Sequence, residues 1–362
     1  MKPCRRGVAT HEPCDPPGTM FELSVTCALI AGGLLMASCS RDLVRPPPPS
    51  SVDWHPSGSP TQSDASAAAS TQPTIAQAYA SALETPGFAA LGPYLDADAH
   101  FFFPGVEEVT GRDAVIRAHD LLLGAFSERR VAVRRVLRSS SAQLLQWALR
   151  GVQTSTWFGV SVTGKAVEFE GLAVLATGED EAVSDVHAYF DVASVEAQLR
   201  HGGSEQQAAS SALGPSGSPQ VVRQSGSSDE MHNTAVVRRW LDALDSIDRA
   251  AYLACLSEDV EVTTPERARP ARGKEAAANS FEAIHRQIAE LETRIDAIWG
   301  IGDFVGVEYS LTGEQTAPIG WVPLARDRVV RLQVADIAEL HDGRITRVWR
   351  YLNLAQANAP NP

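Results

Sequence analysis

Apolar and polar positions alternate most sharply over residues 185–191, Asp-Val-His-Ala-Tyr-Phe-Asp. The alternation predicts a strand, because side chains two apart in a strand share a face. Asp185, His187, Tyr189 and Asp191 then line one side, and Val186, Ala188 and Phe190 the other. Four groups able to share or exchange protons exceed what solubility asks of one face. The pattern returns at residues 347–353, Arg-Val-Trp-Arg-Tyr-Leu-Asn, with Asn353 where the first copy has a carboxylate.

The correspondence runs through most of the chain. Leu95-Asp96-Ala97-Asp98 matches Leu256-Ser257-Glu258-Asp259, Gly111-Arg112-Asp113-Ala114 matches Gly273-Lys274-Glu275-Ala276, and Tyr189 matches Tyr351. The offset stays at about 162 residues, which marks a duplication. Each copy opens with a helical pattern carrying Tyr79 or Trp240, followed by a shorter helix and a strand that ends at Pro104 or Pro265. A third helix starts at the Gly-Arg-Asp or Gly-Lys-Glu stretch, whose acidic residue suits a helix N-terminus. Val115, His119, Leu122 and Phe126 fall on one stripe of that helix. Strands follow: Leu145, Trp147 and Leu149 alternate with polar or small neighbours, residues 165–176 form a long strand, and Asp342-Gly343 marks a hairpin turn. Helices followed by hairpin-linked strands predict an α+β class, with an antiparallel sheet wrapped on about three helices in each of two domains.

Ahead of the repeat, residues 23–37 are almost wholly apolar and follow Lys2, Arg5 and Arg6. The run is short for a membrane span, which needs ~20 residues, and suits a signal-peptide core. It ends Leu35-Met36-Ala37-Ser38-Cys39, which resembles a bacterial lipobox, with Met36 at a position usually held by Leu, Val or Ile. The resemblance implies a lipoprotein signal peptide over 1–38, lipidation of Cys39 and a lipid anchor in the cell envelope; Ser40 after Cys39 points to the outer membrane. A plain cleaved signal and an uncleaved anchor stay open. Residues 39–73 are Pro-, Ser- and Ala-rich and 201–230 are Gly- and Ser-rich, and both are expected to be disordered connectors. The domains then occupy 74–200 and 231–356, with a tail at 357–362.

Composition narrows the function. A formal charge of -13 disfavours nucleic acid. Cys4, Cys14, Cys27 and Cys39 all precede the repeat, so Cys255 has no internal partner and reads as a small buried hydrophobe. Neither CxxC nor HExxH occurs, so no metal is expected.

The order of elements, with the residues quoted, resembles the nuclear transport factor 2-like superfamily and within it the SnoaL-like polyketide cyclases and ester cyclases. The likeness covers about 75–199 and, more loosely, 233–354. It implies two cone-shaped domains, each a curved sheet closing on a long helix around a pocket. The motif rests on Asp191 followed by Gln198-Leu199; His187 replaces an aromatic residue and Arg200 a glycine. In such cyclases a pocket aspartate is acid and base without a cofactor. The resemblance therefore implies Asp191 as acid/base; on the same strand face His187 is placed to share its proton and Tyr189 to donate to a developing enolate oxygen. Phe102, Trp147, Trp157 and Asp185 are expected to line the first pocket, and Trp349, Tyr351 and Asn353 the second. Against this, an Asp at a strand end often caps the next turn, and the histidines and aromatics serve equally as core. Asp336 is expected to offset Arg347 if both face inwards. Two functions remain: binding of a small apolar molecule in the first cone, or a cofactor-free cyclase or isomerase working through Asp191. The sheets are expected to pair as an internal pseudo-dimer or a homodimer.

Overall fold

Thr74 starts the first helix. Its hydroxyl accepts from Gln77 N while the Gln77 side chain accepts from Thr74 N, a capping box that satisfies two of the end groups a helix leaves open. In the computed structural model, which describes residues 74–178, 182–202, 218–264, 269–320, 322–325 and 328–358, this helix is α1 (Ile75–Glu84). The expected signal peptide, Cys39 and the first connector lie outside the described residues. Among the described residues, no helix is long and apolar enough to cross a membrane.

The first repeat continues with a 3₁₀ turn at Ala89–Tyr94, where Pro93 prevents a regular helix. Then come β1 (Leu95–Phe102), β2 (Val109–Thr110), α2 (Arg112–Leu123), β3 (Phe126–Arg138), β4 (Ala142–Gln153), β5 (Ala166–Thr177), β6 (Val183–Tyr189) and α3 (Val192–His201). Phe126, expected on the α2 stripe, instead begins β3, because the helix ends at Leu123. The second repeat has α4 (Ser228–Asp245), α5 (Arg249–Ala254), β8 (Leu256–Thr263), β9 (Ala271–Arg272), α6 (Gly273–Gln287), β10 (Ile288–Ile301), β11 (Phe304–Gln315), β12 (Val329–His341) and β13 (Arg344–Leu352). Asp342 and Gly343 both have positive φ, as the expected two-residue hairpin between β12 and β13 requires.

Within the stretch expected as a disordered connector, Gln220–Arg223 forms β7, which pairs in parallel with the outer edge of β3. The free backbone groups of that edge override the local Gly/Ser-rich composition. The first sheet runs β2-β1-β6-β5-β4-β3-β7 and the second β10-β11-β12-β13-β8-β9. Contrary to the expectation of antiparallel sheets, both are mixed: β1 runs parallel to β6 and β8 to β13, because the early strand of each repeat is inserted beside its last.

Each sheet buries both faces. One face of the first sheet closes over α1 and α2 around Phe88, Phe101, Trp147, Phe169 and Phe190; the second sheet closes likewise around Trp240, Tyr252 and Tyr309. The other two faces meet in a third cluster that includes Leu144, Leu172 and Tyr189 with Phe304, Ile337 and Tyr351. Face-to-face packing puts sheets about 10 Å apart. Gly306 permits the approach, since a Cβ there would collide with Leu144.

Candidate functional site

In β6 the alternation holds, but the direction is the reverse of the pocket expectation. Val186, Ala188 and Phe190 point into the first cone, while Tyr189 belongs to the cluster between the sheets. His187 Nδ1 donates to Glu308 Oε1 at 2.7 Å and the Tyr189 hydroxyl donates to the same oxygen at 2.7 Å, reaching across from β6 to β11. Phe102 packs edge-on against both rings. Burial alone would lower the His187 pKa, but the hydrogen bond and charge of Glu308 outweigh it and raise it. Burial and Glu308 push the Tyr189 phenol well above its ordinary value, so it remains a donor. Asp185 accepts from Ser184 Oγ at 2.7 Å.

Asp191 is 3% exposed and fully engaged. Its Oδ2 caps α3, accepting from Ser194 N at 2.9 Å and Ser194 Oγ at 2.6 Å, and its Oδ1 accepts from Leu354 N at 3.1 Å in the other repeat. Gln198 exchanges hydrogen bonds with both backbone groups of Glu168, pinning α3 to β5. The Asp-to-Gln-Leu motif thus builds the helix end and its seat. It places no free carboxylate in the cone, and Asp191, His187 and Tyr189 do not surround a common cavity.

The remaining expected pocket residues divide between two environments. Trp147 and Trp157 lie inside the first cone. Trp157 Nε1 donates to Leu122 O at 2.6 Å, whereas the Trp147 indole N–H is buried without a partner. Their rings join Phe126, Phe169 and Phe190 in a chain of contacts that fills the interior. Deeper in, the Tyr79 hydroxyl lies 3.2 Å from His119 Nε2, while His119 Nδ1 faces Val115 O at 3.3 Å. Nδ1 therefore carries the proton and Nε2 accepts, and burial lowers the His119 pKa to about 4. Trp349, Tyr351 and Asn353, by contrast, lie against the first repeat. Arg135 is sandwiched between the Trp349 and Phe304 rings, Tyr351 accepts from Gln146 Nε2 at 2.6 Å, and Asn353 Nδ2 donates to Pro104 O at 2.8 Å.

A charged pair inside a cone lies in the second repeat. Asp336 on β12 has no exposed surface and accepts from three donors: Arg350 Nε at 3.1 Å, Arg350 Nη2 at 2.9 Å and the Tyr309 hydroxyl at 3.0 Å. The Trp240 ring faces the guanidinium at 5.8 Å, and Tyr252 packs beside Trp240. Burial opposes the Arg350 charge, but Asp336 more than offsets it and holds the pKa well above its ordinary value. Burial, despite the nearby Arg350, also pushes the Tyr309 phenol well up. A fifth of the Arg350 side chain, 20%, stays reachable by solvent. The pairing expected between Asp336 and Arg347 is corrected: Arg347 bonds Glu339 at 3.4 Å and reaches Glu261, on the far face of β13. The missed signal was parity. Asp336 shares its face with Val330, Leu332 and Val334, all inside the cone, and it is the register partner of Arg350. At the corresponding positions the first repeat has the register pair Ala173 and Ala188.

Comparison with known proteins bears on both repeats. The SnoaL-like polyketide cyclase model matches residues 73–199 and the SnoaL-like domain model matches residues 237–348. No curated protein sequence matches the chain. Similar solved structures include a protein assigned as a SnoaL-like polyketide cyclase from Jannaschia sp. CCS1, 22% identical over 38% of this chain and 99% of that one, with a TM-score of 0.35. One assigned as a polyketide cyclase from Silicibacter sp. TM1040 is 27% identical over 36% of this chain and 97% of that one, TM-score 0.32. An LEH-like epoxide hydrolase from M. tuberculosis is 20% identical over 35% of this chain and 87% of that one, TM-score 0.30.

Proposed function

We propose that this chain, which belongs to the SnoaL-like family through both of its domains, is a lipid-anchored envelope protein that binds a small, largely apolar molecule in the cone of its second domain. The observation that carries the reading is Arg350: a charged side chain, 20% exposed, in a cone otherwise walled by apolar and aromatic side chains, held in place by fully buried Asp336. Pockets for small molecules combine apolar walls with a few fixed polar groups. Asp336 already neutralises Arg350, so the site suits a neutral acceptor, a carbonyl or hydroxyl oxygen on an apolar body, better than an anion. The aromatic-filled first cone then serves as the platform on which the second is mounted. Asp191 is not carried forward as an acid/base, because all of its contacts are structural ones. The anchor is Cys39, with the chain exported to the outer membrane.

Native mass spectrometry of full-length protein from a membrane fraction tests the ligand. Wild type is expected to retain a small molecule, and the Asp336→Ala/Arg350→Ala protein, checked for an intact cooperative melt, to lose it. Equal retention would sink the reading. Labelling with a fatty-acid analogue tests the anchor: Cys39→Ala should abolish incorporation.

A further inference from the structure

The two repeats differ where their first helices begin. α1 starts at Ile75, the counterpart of Val236, whereas α4 starts at Ser228, about two turns earlier. Those extra turns lie over the end of β10. Glu230 accepts from Gly302 N, Asn233 Nδ2 donates to Gly302 O, and a Cβ on Gly300 would collide with the Glu230 backbone. In the first repeat Thr74 caps α1 directly after Pro73, and the corresponding space is a cleft of about 720 Å³ at the end of the cone where α1 begins.

Strand register puts the polar groups of this cleft on one face. Arg223 pairs with Arg138, Arg138 with Gln143 and Gln143 with Leu175, so a single row crosses β7, β3, β4 and β5. Leu175 belongs to the core of the first cone, as do Ile75 and Val136, the latter two residues before Arg138. The row therefore faces the cone, and Ile75, Arg138, Gln143, Thr177 and Arg223 line the cleft together. The matching row of the second repeat is Gly300, Val305 and Ala338, so the fold does not call for polar groups here.

Gln143 is only 6% exposed, and its amide has no hydrogen-bond partner among the described residues, with Oε1 enclosed. The terminal torsion of a glutamine is broad and two-fold, so a half-turn brings either the oxygen or the nitrogen to the cleft side. An unpaired buried amide is costly, and a ligand group that pairs with it relieves that cost. Arg223 is exposed and forms no ion pair among the described residues, whereas Arg138 is partly buried and already has a partner. The surroundings are not cationic. Glu230 accepts from Gly226 N at the rim, and Gly178, also at the rim, is followed in sequence by Glu179, Asp180 and Glu181. That balance disfavours an anion, while guanidinium and amide N–H groups and a threonine hydroxyl suit uncharged oxygens. Strand spacing makes the row from β7 to β4 about 10 Å long, room for several hydroxyls in line.

We propose that this cleft binds a neutral polyhydroxylated molecule of monosaccharide size, its hydroxyls on Arg223, Arg138, Gln143 and Thr177 and its carbon face on Ile75. Apolar contact on one side with a few fixed polar groups on the other is the usual make-up of a small-molecule site. The site lies in the first domain and is independent of the second cone, so either can fail alone.

The test is a chemical-shift titration of the full chain with D-glucose, D-galactose and D-mannose, and with tetrahydropyran-2-methanol, which keeps the ring and lacks its hydroxyls. At least one sugar should give saturable shifts at Arg138, Gln143 and Thr177, and the control none. Gln143→Val, which installs the side chain the second repeat has at Val305, should weaken binding at least tenfold without lowering the melting temperature, because the amide it removes is unpaired. Arg223→Gln should weaken binding several-fold, again with an unchanged melting temperature. No saturable shifts from any of the sugars, equal shifts from the control, wild-type affinity in both variants, or tighter binding of D-glucuronate than of every neutral sugar would overturn the proposal.

Discussion

Asp191 accepts the backbone N–H of Leu354, and Asn353 accepts the backbone N–H of Val192, so residues at equivalent positions of the two repeats each hold the start of the other's following segment. The same reciprocity links Tyr189 to Glu308 and Tyr351 to Gln146. These contacts are related by an approximate two-fold, as in an isologous interface, but the sequences at the two ends have diverged. Asn353 uses its amide to donate to Pro104 O, which a carboxylate cannot do.

Asp191→Ala should therefore cost stability. It removes the α3 cap, about 1 kcal/mol, and leaves the buried Leu354 N–H without an acceptor, about 1–3 kcal/mol. Urea denaturation should show a loss of ~2–4 kcal/mol on those figures, with a smaller loss for Asp191→Asn. A midpoint unchanged from wild type would contradict the capping role.

The His187–Glu308 contact should make the repeat interface pH-dependent. His187 titrates higher folded than unfolded, so its contribution is fully present below its unfolded pKa of about 6.5 and is lost as pH rises through the raised folded value. Comparing the melting temperatures of wild type and His187→Gln from pH 5.5 to 8.5 should give the largest difference at the acid end. A difference that grows towards pH 8.5 would refute it.

His119 works in the opposite direction. Its folded pKa, lowered to about 4, lies below the unfolded value, so its stabilisation is present above pH ~6.5 and is lost as pH falls towards 4. A shift of that size corresponds to as much as about 3 kcal/mol. The His119 ring signals should show no protonation between pH 7 and 5, and denaturant midpoints should fall over that range.

Asp336→Asn should be among the most harmful single changes in the second repeat, because it leaves a mostly buried guanidinium unpaired, at a cost of about 3–5 kcal/mol. The double variant Asp336→Ala/Arg350→Ala copies the pair the first repeat carries, Ala173 and Ala188, and should recover a substantial part of the loss. A double variant no more stable than Asp336→Asn would count against this account.

Much of the fold was readable from pattern. The Asp342-Gly343 turn and the constant repeat offset rest on local chemistry that tertiary context did not override, whereas the cap at Ser227 fell inside the stretch expected as a connector. The facing of β6 was not readable. Period-two alternation says which residues share a side, but both sides of this sheet are buried, so hydrophobicity could not tell cone from interface. Tyr189 and Phe190 are each nearly inaccessible, one on either side. The Asp336–Arg350 pair was missed for a related reason: the two meet only through a cross-strand register that neither segment encodes alone. Strand β7 was hidden because four residues without periodicity owe their conformation to the edge they dock on.

That short strand has a wider effect. An uncovered strand edge invites a stranger's backbone to add on, and each sheet here would offer such an edge at its β3 or β10 side. The chain closes the first with its own β7, while on β10 Thr293 N donates to Asp245 of α4, Gly300 O accepts from Gln224, and Glu290, Glu292, Arg294 and Asp296 stay exposed. Two copies of one architecture have thus found unlike defences against fibrous growth, an added strand in one and side-chain caps with a charged fringe in the other.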